Sequence, residues 1–140
     1  MKPTRGELNH NPGNLDRTRD QWLGMSARQT DSRFVQFDNA HDGIRALARV
    51  LLNYSKKYRL NTVHGIVSRW APPTENNTEA YVNSVALALG TLPHAIIDVA
   101  DPNVLHPLVR AIIRHENGRV SYSDDEIHEA VIAALPKVAA

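Results

Sequence analysis

Asp42-Gly-Ile-Arg-Ala-Leu-Ala-Arg-Val-Leu-Leu-Asn-Tyr-Ser-Lys-Lys-Tyr58 is the stretch whose reading decides the fold class. Ile44, Leu47, Ala48, Leu51, Ser55 and Tyr58 recur at the spacing of one helix face, while Arg45, Arg49, Asn53 and Lys56 fall on others. The spacing predicts a helix of about four turns with one inward stripe. Downstream the same period returns. Thr62 opens a shorter helix through Trp70. A third helix over 78–89 turns Tyr81, Val82, Val85 and Leu89 inward and stops at Gly90. A break at 98–102 precedes another apolar repeat from Val104 to His115. Ser123-Asp-Asp-Glu126 is a capping-box pattern for a last helix carrying Ile127, Val131, Ile132 and Leu135, which ends before Pro136.

Upstream the pattern changes. Residues 1–19 are rich in Asn, Arg, Asp, Pro and Gly, and Asn11-Pro-Gly-Asn14 is a turn signal. Residues 21–25 and 33–37 read as two short extended segments, the second alternating as Arg33-Phe-Val-Gln-Phe37. The expected architecture is therefore mainly α with a small β-hairpin. It occupies a single domain over 1–140, with 1–19 as a polar, turn-rich N-terminal segment.

Composition narrows the function classes. The chain has 140 residues and no cysteine, which removes disulfides and thiolate metal sites. Sixteen Lys and Arg against fifteen Asp and Glu give a net charge of +1, too balanced for the basic stripe of a nucleic-acid binder. The apolar runs fall short of a bilayer span, and the first residues lead into no signal segment. The expectation is a soluble protein without membrane contact or signal peptide. None of the seven histidines forms a helical i, i+4 pair, so neither a metal nor a cofactor is expected.

The carboxylates and amides suggest a sugar-binding cleft. Glu116 lies on the apolar stripe of its helix and in its last turn, before Asn117-Gly118. An anion on an apolar stripe, at the negative end of the macrodipole, is in the environment a general acid needs. Glu116 is the first candidate for that role, Glu7 the second and Glu75 the third, since two carboxylates across a cleft can divide acid and base work. Asn11, Asn14, Asn76 and Asn77 offer donors and acceptors suited to hydroxyl and acetamido groups, and Trp22, Trp70 and Tyr81 can stack on pyranose faces. Glu75, Asn76 and Asn77 follow Pro72 and Pro73, which stiffen the loop that presents them.

Arg5-Gly-Glu-Leu-Asn-His-Asn-Pro-Gly-Asn14, Trp22-Leu-Gly24, Arg33-Phe-Val-Gln-Phe37, Gly43-Ile-Arg-Ala46 and Arg69-Trp-Ala-Pro-Pro-Thr-Glu-Asn-Asn-Thr78, in that order, resemble a family of small phage and prophage proteins often labelled virion structural protein. The resemblance covers residues 4–120 and extends to peptidoglycan-cleaving lysozyme-like domains of the glucosaminidase and transglycosylase type. Ile112-Ile-Arg-His-Glu-Asn-Gly118 looks like the helix-ending glutamate segment of those enzymes, although at the opposite end of the chain. The resemblance implies a lysozyme-like α+β domain that cleaves the glycan strands of peptidoglycan. Its setting would be a phage virion or the host cytoplasm with action in the periplasm, and other virion proteins would be further partners. The competing expectation is a non-enzymatic virion structural or assembly protein in which the same loops contact another protein.

Overall fold

The computed structural model describes residues 2–74 and 76–137. Six helices are present among them: α1 Arg5–Leu8, α2 Ala40–Tyr58, α3 Val63–Trp70, α4 Thr78–Leu89, α5 Pro102–Asn117 and α6 Asp124–Ala134. Each begins on a side chain that accepts one of the otherwise unpaired first-turn N–H groups: Thr4, Asn39, Thr62, Asn77, Asp101 and Ser123 in turn. Three end on a left-handed residue, Arg59, Gly90 or Gly118.

The period read from residues 42–58 is the one that builds the core. Ile44, Leu47, Ala48 and Leu51 of α2 are fully buried against α6, which contributes Ile127, Ala130 and Val131. Leu105, Leu108, Val109, Ile112 and Ile113 of α5 join them, with Tyr81, Val82 and Val85 of α4 and Val63, Ile66 and Val67 of α3. Ile132 and Tyr58, expected inward, point outward. Ala134 of α6 is buried in the same core. No helix of the described residues is long and apolar enough to cross a membrane.

The expected β-hairpin does not form, and with it goes the lysozyme-like α+β fold: among the described residues there is no strand. Two isolated bridges are all that the extended segments make, Asp16 with Phe34 and Met25 with Phe37. The physical reason lies in the side chains, which occupy the backbone groups that a ladder would pair. The Asn11 amide donates to Leu15 O (3.1 Å) and Val35 O (2.8 Å) and accepts from Leu15 N (3.0 Å). Gln29 donates to Ser26 O and Gln36 O and accepts from Gln36 N, while the Asp31 carboxylate accepts from the N–H groups of Arg33 and Phe34. Segment 33–37 is thus divided between two partners, with Val35 N to Leu15 O and Arg17 N to Arg33 O around one bridge and Ser26 N to Gln36 O and Asp38 N to Gly24 O around the other, and neither pairing extends into a ladder.

Residues 9–37 form a second, smaller core of Leu15, Val35 and Phe37 that closes on Ala46 of α2, with Trp22, Met25, Val50 and Trp70 packed against it. The junction is tight. A Cβ on Gly43 would lie 1.7 Å from the His10 carbonyl oxygen, so only glycine lets the N-terminal segment cross the first turn of α2.

Candidate functional site

A cleft of about 670 Å³ runs between the N-terminal segment and the helices. One wall is the chain from Gly13 to Trp22 with Arg33 and Phe34; the other is Val50 and Tyr54 of α2, with Trp70, Ala71 and Asn76 from the end of α3 and its loop. Glu116, in the last turn of α5, also lines the cleft.

The turn at 11–14 sets the first wall. Asn14 N–H donates to Asn11 O, Asn14 itself is left-handed (φ 51°), and the buried Asn11 amide holds Leu15 behind it. Asn117 Nδ2 donates to Pro12 O at 2.8 Å, tying the turn to the end of α5. The second wall is fixed at its base by the buried Thr78 hydroxyl, which donates to Ala71 O at 2.6 Å.

Glu116 is held by both oxygens. Asn14 Nδ2 donates to Oε1 at 3.3 Å and the Tyr81 hydroxyl donates to Oε2 at 3.2 Å. Tyr81 is fully buried, its ring stacked on His115 at 3.5 Å between centroids. Burial pushes the Tyr81 hydroxyl far above its ordinary pKa; the neighbouring Glu116 adds to the shift and a hydrogen bond with Trp70 opposes it. The hydroxyl therefore stays protonated and remains a donor.

Of the residues singled out from sequence, Asn14, Trp22, Trp70, Asn76 and Glu116 line the cleft together. Tyr81 lies behind Glu116. Asn11 is a buried structural amide, and Asn77 is the N-cap of α4, accepting from Ala80 N at 3.2 Å. Glu75 lies outside the described residues. Glu7 is elsewhere: Arg119 donates to it from Nη2 (2.5 Å) and Nε (3.1 Å), Ser121 donates through its hydroxyl, and Thr4 N donates at 2.9 Å. The Arg119 guanidinium, with help from Ser121 and Thr4, lowers the Glu7 pKa to about 2 against the opposing effect of burial.

Sequence reasoning missed Arg33, Phe34, Val50 and Tyr54 as lining residues. For two of them a signal existed. Ala46, Val50 and Tyr54 stand four apart, a second stripe beside the main one on α2. Among the described residues, no group of three or more His, Asp or Glu side chains is arranged to hold a metal ion.

No family model matches the chain. Protein P5 of Pseudoalteromonas phage PM2 is 41% identical to it over 128 residues, which span 88% of this chain and 77% of that protein. The chain belongs to the P5 family of phage proteins. This membership supports the phage half of the resemblance and corrects the other half. A lysozyme-like glycosidase, endolysin or cell-wall-degrading enzyme was expected on an α+β scaffold, and the described residues of this P5-family chain are helical throughout their regular structure. The two leading carboxylates do not face each other across one cleft, and Glu7 is held ionised by Arg119, so it has no proton to donate as an acid. The glycan-cleaving reading is therefore withdrawn.

Proposed function

We propose that the chain is a non-enzymatic structural or assembly protein of a phage particle, acting by contact. The observation that carries this reading is a concentration of exposed apolar side chains. Leu87 is 84% exposed, Leu92 75% and Ile96 80%, and all three fall between the last turn of α4 and the turn region after it. Leu87 also borders a shallow groove with Ala88, Ala111, Arg114 and His115 between α4 and α5. Large apolar groups held in water forgo roughly 25 cal/mol per Å² of burial, and their concentration on a surface marks a contact region. The cleft of Asn14, Trp22, Trp70 and Asn76 is proposed as a second contact surface, pre-shaped by the hydrogen bonds around it.

The test is sedimentation of purified particles from the phage that encodes the chain. The wild type is expected in the particle band, and a Leu87→Ser, Leu92→Ser, Ile96→Ser variant with an unchanged circular dichroism spectrum is expected in the soluble fraction. A wild type that stays out of the particles and is instead retained by insoluble peptidoglycan would overturn the reading.

A further inference from the structure

We propose that the cleft is a receptor for a cationic side chain, a Lys or Arg presented by a partner protein; this rests on the assembly reading above and names what its second contact surface accepts. Charge gives the sign. Asp16, Asp20 and Glu116 line the cleft, against Arg33 as the one basic lining residue among those described. Aromatic rings give the walls: Trp22, Phe34, Tyr54 and Trp70 all border the same space. A cation placed over such rings is attracted by their electron-rich faces, and a carboxylate in reach adds a charge-assisted hydrogen bond. A neutral ligand would gain the stacking but nothing from the net negative charge.

The molecule already uses this recognition mode at two of these rings, Phe34 and Tyr54, with its own arginines. Arg33 Nε lies 2.6 Å from Asp16 Oδ1 while its guanidinium carbon sits 5.0 Å from the centre of the Phe34 ring. Arg5 approaches the same ring at 4.5 Å and is paired with Asp31 at 2.6 Å. Arg69 lies 3.6 Å from the Tyr58 ring centre and 5.3 Å from that of Tyr54. Glu116, Asp20, Trp22 and Trp70 bring the same two ingredients, carboxylate and ring, to the rest of the cleft. Glu116 is pre-oriented for it, since Asn14 and the buried Tyr81 fix its two oxygens, and pre-orientation lowers the ordering cost of binding. A volume of about 670 Å³ admits a long side chain with its flanking backbone.

The test uses the chain's own reporters, because Trp22 and Trp70 are its two tryptophans and both line the cleft. The full chain is titrated, by tryptophan emission and by calorimetry, with a capped Gly/Ser heptapeptide carrying a central Arg, with the same peptide carrying neutral citrulline, and with oligomers of N-acetylglucosamine. The Arg peptide is expected to perturb the emission saturably and to bind about tenfold more tightly than the citrulline peptide, an advantage that added salt reduces. Glu116→Gln and the exposed Asp20→Asn should each weaken the Arg peptide several-fold, and Asp125→Asn, in the first turn of α6, should not. Equal binding of the citrulline peptide, binding of the sugar oligomers alone, or no binding at all would overturn the proposal. If the cleft proves indifferent to the cation while the wild type still enters particles, this inference fails and the assembly reading stands; if the wild type does not enter particles, the assembly reading fails on its own evidence.

Discussion

The helices from α2 to α6 and the segment before them are stabilised by different means. Behind α2 the interior is aliphatic: Leu47, Leu105, Leu108, Ile112 and Ile127 are fully buried and touch one another in a continuous core. In residues 2–37 the apolar cluster is small and the chain is held by amides and carboxylates, with Asn11, Gln29, Asp31 and Gln36 bonding backbone groups that regular structure would otherwise pair. Apolar packing is non-directional and tolerates some repacking, whereas a side-chain amide bonded at three points does not. The cleft lies on the boundary between the two, so one wall inherits the stiffness of helices and the other that of a hydrogen-bond network.

Substitutions can break this contrast at graded cost. Leu108→Ala, in the fully buried core, should destabilise by about 3–4 kcal/mol, read from chemical denaturation. Gly43→Ala should follow at about 2–3 kcal/mol, because its Cβ forces the His10 carbonyl away from α2; near-neutral stability would mean that the two regions are not locked there. Asn11→Ala leaves Leu15 N and Val35 O without the Asn11 amide, while Leu15 O keeps Val35 N, and should cost about 2 kcal/mol. Its signature should be local, a change in tryptophan emission and hydrogen exchange confined to residues 9–37, with the helical core unmoved.

A pH titration sharpens the same comparison with a smaller effect. The Glu7 pKa falls from an ordinary 4.5 to about 2 in the folded protein, so its pairing with Arg119 contributes stability that is fully present above the unfolded value. That contribution is lost as the pH falls from about 4.5 through 2. Asp31, also lowered, chiefly by Arg5, adds in the same direction. Glu7→Gln should flatten the part of the acid-side slope that is due to Glu7. A slope unchanged by that substitution would remove Glu7 from the account. Smallest of all, Leu87→Ser should leave stability within about 0.5 kcal/mol, since the side chain is exposed.

The same contrast explains what could be read from sequence. Ile44, Leu47, Ala48 and Leu51 announce α2 through spacing alone, and Thr62, Gly90 and Ser123 mark helix ends by local chemistry. The alternation of residues 33–37 pointed to a strand because periodicity counts side chains and says nothing of which groups the backbone will bond; Gln29, seven residues before Gln36, and Asn11, twenty-four before Val35, decide that. Helix α1 was hidden in a polar stretch, where the Thr4 and Glu7 capping box was the available sign. In the site, Asn14, Trp22, Trp70, Asn76 and Glu116 were legible as residue types suited to a cleft. That Asn14 and Glu116 meet, more than a hundred positions apart, is a tertiary fact without a local signal.

The central claim is that this P5-family chain works by contact and not by cutting glycan, and release of soluble fragments from purified peptidoglycan tests it most directly. The wild type, incubated across a broad pH range beside a Glu116→Gln variant, is expected to release no more than buffer. Release by the wild type that disappears in a folded Glu116→Gln protein would contradict the account.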